Sequence, residues 1–204
     1  MNPKSFLISD WWEVPPENRT AFLAWHNGPY RTHLGATSNV QRLYAIGGRP
    51  NALLSWSEGE SDSDDRGNYE THLPVGCPGA SNEISHERFR CELMRDVGSK
   101  PDQPTPWLYI VHTDIPDHIV DEYTAWYDEE HLPRLVTVPG VLRARRFVAH
   151  GSTPLYLTAY DLTDRDAFES PAGIKARKTP WTEKMRSLFY NTRRSMAKLE
   201  PELR

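Results

Sequence analysis

The chain has little cysteine: two residues, Cys77 and Cys91, in 204. That is too few for a disulfide framework, and neither belongs to a CxxC pair or a metal-spaced cluster. No apolar run approaches the roughly 18 residues that a membrane span requires. The opening MNPKSFLISDWWEV has one lysine and an apolar run too short for a secretory signal, so the expected address is the cytoplasm. Basic charge is not in surplus either: a formal charge of −4 gives no electrostatic case for nucleic acid as a partner. Gly-rich phosphate motifs of the GxGxxG and GxxxxGKS/T kinds are missing, as are HxxxH and HxxEH spacings. No nucleotide cofactor and no metal ion is therefore expected.

What the chain does have is aromatic side chains, seven Trp and nine Tyr among them. Such residues can simply fill a core, but chains rich in them also suit pockets for flat apolar ligands with a few polar groups. Apolar and charged contents of 38% and 25% are those of an ordinary globular protein.

A repeat lies in the chain at an offset of 101 positions. FLISDWWEVPPENRTAFLAWHNGPYRTHLGATSNVQR then faces WLYIVHTDIPDHIVDEYTAWYDEEHLPRLVTVPGVLR without a gap. Leu7/Leu108, Pro15/Pro116, Ala24/Ala125, Trp25/Trp126, Leu34/Leu135, Val40/Val141 and Arg42/Arg143 are identical pairs. After a short insertion, RLYAIGGRPNALLSWS faces RRFVAHGSTPLYLTAYD. The matches fall mainly where residues would be packed, as a duplicated fold requires.

Each repeat reads as strand, helix, strand, turn, strand. FLISDWW and WLYIVHT are short, aromatic or β-branched runs of strand type. Ile119, Tyr123 and Trp126 recur at helical spacing, echoed by Phe22 and Trp25. In the second repeat, Asp164–Lys178 and TPWTEKMRSL supply a further helix, with Thr179 and Pro180 at its start, and SLFYNTRRSMAKLE holds the last strand. In the first repeat, acidic and then Gly/Pro-rich residues over 57–85 predict a long loop in place of that helix. HERFRCELMRDV reads as the closing strand.

The expectation is an α+β chain of two tandem ferredoxin-like βαββαβ repeats, 1–100 and 101–204, forming an α/β barrel within one chain. WYDEEHLPRLVTVPGVLRARRF, PLYLTAYDL and ESPAGIKARKTPW resemble the dimeric α/β-barrel superfamily. The similarity is greatest to its EthD-like, muconolactone isomerase and antibiotic-biosynthesis monooxygenase branches. It covers Pro106–Trp181 well and Phe6–Ser57 more weakly. The resemblance implies a barrel of two units and chemistry on small aromatic, lactone or polyketide-like compounds, mostly without a bound cofactor. Some members bind haem, and some have no known activity.

In the resembling motif the histidine before Leu-Pro, here His131, ends the first helix and borders the ligand cavity. An imidazole titrating near neutrality can move a proton there. A histidine that bonds a backbone carbonyl and shapes a kink at Pro133 fits the same spacing. Asp128, Glu129 and Glu130 oppose the macrodipole of a helix that stops near Pro133. They could pair with Arg134, Arg143, Arg145 or Arg146, or, for Asp128 and Glu130, orient His131 or polarise a ligand hydroxyl. Tyr127 and His112 are candidates to hold a substrate oxygen.

Trp11, Trp25, His26, Tyr30, Tyr123 and Trp126 are the expected substrate-binding wall. Tyr30 aligns with His131 and His26 with Tyr127, so only the second repeat keeps the motif histidine, and Gly28-Pro29 interrupts the first helix of the other. His33, His72 and His86 have no assigned role, although the last two flank a stretch that can fold over a pocket. Cys77 in VGCPG is a candidate nucleophile, and the lack of a recognisable partner speaks against it. Lys175, Arg177, Lys178, Lys184, Arg186, Arg193 and Arg194 make a basic C-terminal stretch that reads as a solvated face, from which one arginine could steer an anionic substrate.

The expected function is a cofactor-independent enzyme of proton-transfer chemistry, a dehydratase, isomerase, decarboxylase or other lyase, on a small aromatic or polyketide-like molecule. A cofactor-free monooxygenase of phenolic substrates and a non-catalytic binding or stress-response module are the alternatives. The chain would act as a monomer or homodimer, with a small-molecule substrate and neither nucleic acid nor membrane as partner.

Overall fold

A computed structural model of the chain describes residues 4–35, 40–61, 76–78, 83–149 and 151–201. Among the described residues, eight strands and six α-helical segments follow in the order of two ferredoxin-like repeats, the first without its second helix. The strands make one closed barrel in the order β1-β3-β2-β8-β5-β7-β6-β4. The chain divides into two compact units, 1–92 with 199–204, and 93–198. The division falls inside the fourth strand.

The first unit starts with β1 (Lys4–Glu13), then α1 (Arg19–Trp25), α2 (Arg31–Gly35), β2 (Val40–Ile46), β3 (Ala52–Ser61) and the first part of β4 (Ser85–Gly98). β1 pairs antiparallel with β3 and with β4, and β2 pairs with β3. Trp12, Phe22, Trp25 and Tyr30 form an aromatic core, with Trp12 meeting the other three edge-on at 5.2–5.8 Å. The long loop read over 57–85 is shorter at its start, because β3 carries the chain to Ser61. Residues 62–75 and 79–82, His72 among them, lie outside the described residues.

The second unit contains β5 (Trp107–Asp114), α3 (Val120–Trp126), α4 (Leu132–Leu135), β6 (Val141–Ala149), β7 (Tyr156–Leu162), α5 (Pro171–Arg177), α6 (Pro180–Ser187) and β8 (Tyr190–Leu199). β5 lies between β7 and β8, and β6 pairs with β7, all antiparallel. The turn VPG before β6 ends on Gly140, whose φ of +92° suits glycine. Both late helices are capped as their sequences predict. Ser170 accepts from the Gly173 amide and Thr179 from the Thr182 amide, each at 3.0 Å, with proline at the first helical position.

Two expectations about the first helix of each repeat are corrected. Gly28-Pro29 does not interrupt the helix, and Pro133 does not end its counterpart. A π turn, His26–Tyr30 in one unit and Tyr127–His131 in the other, joins α1 to α2 and α3 to α4. The extra residue of a π turn breaks the regular bonding ladder, so Pro29 inside one turn, and Pro133 in the first turn of α4 just past the other, fit without ending the helix. Asp128, Glu129 and Glu130 consequently sit in mid-helix and oppose no terminal dipole.

Candidate functional site

β5 divides the chemistry of the second unit by strict alternation. Leu108, Ile110 and His112 are buried on one face, and Tyr109 and Val111 point to the other. That other face meets the π turn, α5, α6 and β8 to form a cleft. Its wall includes Tyr109, Val111, Trp126, Tyr127, His131 and Tyr160. Arg177 from α5, Arg186 from α6 and Arg194 from β8 complete it, with Phe189 beside them. The cleft holds about 410 Å³ of space out to its mouth, and the centre of a water molecule can occupy only about 30 Å³ of it.

His131 is 5% exposed and lies flat on Trp126, with ring centroids 4.1 Å apart. Its Nδ1 is buried without a hydrogen-bond partner. Burial, and then the charges of Arg186 and Arg177, push its pKa down to about 3, so the imidazole is neutral at pH 7. The sequence reading had placed it near neutrality. Burial also raises the pKa values of Tyr127, Tyr160 and Tyr109, so all three phenols keep their protons.

Thr158 Oγ1 donates to the Tyr127 hydroxyl at 3.0 Å. Behind it, the buried Arg146 stands over the rings of Tyr123, Tyr127 and Tyr156 at 4.7, 5.1 and 5.4 Å and donates to Thr124 Oγ1. The ring faces partly replace the water that this guanidinium has lost.

The three wall arginines differ in how they are held. Arg177 donates to the Phe168 and Gly173 carbonyl oxygens and pairs with Glu169 at 3.3 Å. Arg186 and Arg194 have no carboxylate partner among the described residues. Partial burial, then the like charges of Arg177 and Arg194, lower the pKa of Arg186 from the ordinary arginine value.

The structure brings His131, Tyr127 and Trp126 together in this cleft, with Tyr123 packed behind Tyr127 at 4.9 Å. It does not bring His112 to them. That residue is buried on the opposite face of β5, where burial and Arg193 lower its pKa to about 3. Alternation alone separates 112 from 111. Asp128 lies outside the wall and pairs loosely with Arg95 at 3.8 Å. Glu130 accepts from Thr179 Oγ1 at 2.6 Å and so supports the cap of α6; it does not orient His131. Arg134 donates to the carbonyls of Ala176 and Lys175, Arg143 pairs with Asp96 and Arg145 with Asp161.

Trp25, His26 and Tyr30 belong to the first unit's own aromatic core, and Trp11 is half-buried on β1 of the same unit. That unit holds a titratable cluster which the sequence reading missed. Asp10, fully buried on β1, accepts from His86 Nε2 and Arg88 Nε, each at 2.6 Å, and from Arg88 Nη2 at 3.1 Å. The Tyr30 hydroxyl donates to its other oxygen. Burial works to raise the Asp10 pKa, but His86 and Arg88 outweigh it and hold the carboxyl below its usual value. His86 is therefore an interior residue of β4, stacked on Trp12 at 4.1 Å. Beside this cluster Ser55 Oγ accepts from Trp12 Nε1 and bonds His26 Nε2, both at 2.8 Å. His33 is exposed on α2, and Cys77 is buried with its thiol pushed up to about 11, a poor nucleophile.

Among the described residues no three His, Cys, Asp or Glu side chains are grouped to hold a metal ion. None of the helices in that set is long and apolar enough to cross a membrane.

No protein-family model and no curated protein matches the chain. Solved structures do. A chlorite dismutase variant from Candidatus Nitrospira defluvii superposes with a TM-score of 0.65 at 11% identity, over 98% of this chain and 92% of the other. A ferredoxin-fold protein related to antibiotic-biosynthesis monooxygenases, from Listeria monocytogenes, gives 0.59 at 9% identity over 98% and 96%. An anthrone oxidase-like protein gives 0.57 at 13% identity over 97% and 92%. Identities this low speak for the fold and not for the reaction. The chain thus has the ferredoxin-like dimeric α/β-barrel fold, with both of its repeats in one polypeptide.

Proposed function

We propose that the chain is a cofactor-independent enzyme that moves a proton on a small aromatic or polyketide-like molecule in the cleft of its second unit. One observation carries this reading: a buried, neutral imidazole with an unpartnered ring nitrogen, His131, shares an aromatic cleft wall with two arginines that have no carboxylate partner among the described residues. Neutral imidazole can accept a proton from an acidic C–H or O–H of the ligand. The electron pair left behind delocalises onto a ligand oxygen, and Arg186, Arg194 and the protonated tyrosines stabilise that oxyanion. The proton then returns at another atom in an isomerisation, or the electron pair expels a leaving group in a lyase step. Trp126 and Phe189 keep water from the carbanion.

Oxygenation is the second reading, favoured by the relatives named for monooxygenase and anthrone oxidase. It shares the first step, after which the ligand carbanion reacts with molecular oxygen.

The test uses anthrone and phenylpyruvate, each with an acidic C–H beside an aromatic ring. Deuterium exchange at that carbon is followed by NMR without oxygen, then oxygen uptake is measured in air. The protein should accelerate exchange of at least one of them, and His131→Gln should abolish most of that gain. Oxygen consumption would select the oxygenase. Absence of acceleration with either compound, or an unchanged rate in His131→Gln, would defeat the reading.

A further inference from the structure

The two units treat one strand position in opposite ways. Asp10 on β1 and Val111 on β5 are equivalent at the 101-residue offset. In the strand register Asp10 faces Arg88 on β4, and Val111 faces Arg194 on β8. Both copies keep the arginine, and only the first has a carboxylate opposite it. There, the Asp10 carboxylate takes three hydrogen bonds from His86 and Arg88 and a fourth from Tyr30.

The rest of the surroundings corresponds as well. Tyr30 is equivalent to His131 at the same offset, and each is the last residue of its π turn. Tyr30 packs on Trp25 at 5.1 Å and on His26 at 4.7 Å. His131 packs on their equivalents, Trp126 at 4.1 Å and Tyr127 at 5.2 Å. The hydroxyl bond Ser55–His26 in one unit matches Thr158–Tyr127 in the other. The second unit has the frame of the first, with the carboxylate removed and a cleft where it stood.

The donors that remain call for an anion. Arg194 and Val111 both line the cleft with His131, whose neutral ring has one N–H to donate to an anion and one bare nitrogen left to accept the proton. Arg186 and Arg177 add positive charge at the same wall. A negative group between them relieves the crowding of like charges among Arg177, Arg186 and Arg194.

We infer that the cleft binds a carboxylate of its aromatic ligand between Arg194 and His131, in the position that the Asp10 side chain fills in the first unit. The inference rests on the cleft being the ligand site proposed above and adds that the substrate is an aromatic acid. The small inner space suits a carboxylate, while the ring lies outward against Trp126 and Phe189. Arg186 and Arg194 are solvent-open side chains and can swing to admit it. The carboxylate replaces the internal ion pair by an external one, so that binding, and not folding, completes the network.

The test is calorimetric titration at pH 7 with salicylate and with salicylamide, its neutral counterpart of nearly the same shape. Salicylate should bind roughly 10-fold tighter or more, as a charge-assisted contact to arginine requires. Arg194→Gln should erase that preference, bringing salicylate affinity down to that of salicylamide. Val111→Asp should abolish salicylate binding, because the chain then carries its own carboxylate opposite Arg194. If Val111→Asp does not fold, the solvent-open Arg194 variant decides alone. Equal affinity for the two compounds, or a preference that survives Arg194→Gln, would overturn the inference and leave the cleft as the ligand site. If neither compound binds, the cleft reading falls and the inference with it.

Discussion

His131 and Trp126 lie face to face at the inner wall of the second unit's cleft, their ring centroids 4.1 Å apart and 28° from parallel. The indole holds the imidazole in one orientation and excludes water from that face. His131 is thereby both poised and electrically neutral, which a helix-end histidine in water would not be.

Replacing His131 with Gln keeps a polar, uncharged side chain of similar reach but removes the proton acceptor. Exchange or turnover of the aromatic substrate should fall by about 10²–10⁴-fold, the usual contribution of a positioned base. Circular dichroism and the thermal midpoint should stay close to those of the parent. A variant that is folded and fully active would remove His131 from the chemistry.

Acid should destabilise the protein well above the carboxylate range. His131, His112 and His26 are held at about 3, 3 and 4, below the ordinary histidine value of 6.5, in each case chiefly by burial. The unfolded chain therefore binds more protons between those values, so stability is complete above pH 6.5 and falls as the pH drops through that window. At pH 5 each group has lost about 2 kcal/mol of stabilisation. The depressed Asp10 acts in the same direction, but only below the usual carboxylate range. Urea midpoints measured from pH 7.5 to 4.5 check this, and His131→Gln should make the slope shallower by one proton.

The Asp10 network is a buried ion pair, and its members cannot be removed singly without penalty. Asp10→Asn leaves the Arg88 guanidinium, whose side chain is 7% exposed, without its counter-charge. A loss of about 3–5 kcal/mol is expected, read from denaturant unfolding. Pairing it with Arg88→Met should recover much of that loss, since an apolar side chain leaves no stranded charge. Additive losses in the double variant would show that the two residues do not act as a pair.

Gly173 seats α5 on the segment that carries Phe168, a residue of the cleft wall. A Cβ there would stand 2.4 Å from the Ala167 carbonyl oxygen and 2.6 Å from that of Phe168. Gly173→Ala should cost about 1–3 kcal/mol as overpacking and should weaken ligand binding as Phe168 is displaced. Binding and stability measured on the same variant would separate the two effects. Parent-like values in both would show that the segment yields freely.

The duplicated frame was legible in the sequence because packing leaves a periodic trace. The Phe22/Trp25 and Tyr123/Trp126 pairs, the capping Thr179-Pro180 and the turn glycine Gly140 all register locally, within a few residues of one another. The π turns were not legible, since Gly28-Pro29 and Pro133 read as breaks and nothing in single-residue preference signals an extra residue in a turn. Of the expected site, Trp126, Tyr127 and His131 sit on one turn and stayed together, whereas His112 was lost to the opposite face of its strand.

The sequence by itself determined where strands and helices form, that the chain holds two copies of one unit, and which of them keeps the motif histidine. Those features depend on neighbours in the chain, whose spacing is written out. Tertiary structure alone decided the electrostatics: that Arg177, Arg186 and Arg194, from three different elements, converge on His131, and that Asp10 meets Arg88 and His86 from a strand more than 70 positions away. Charge acts through space and through the loss of water, and neither distance is visible along the chain.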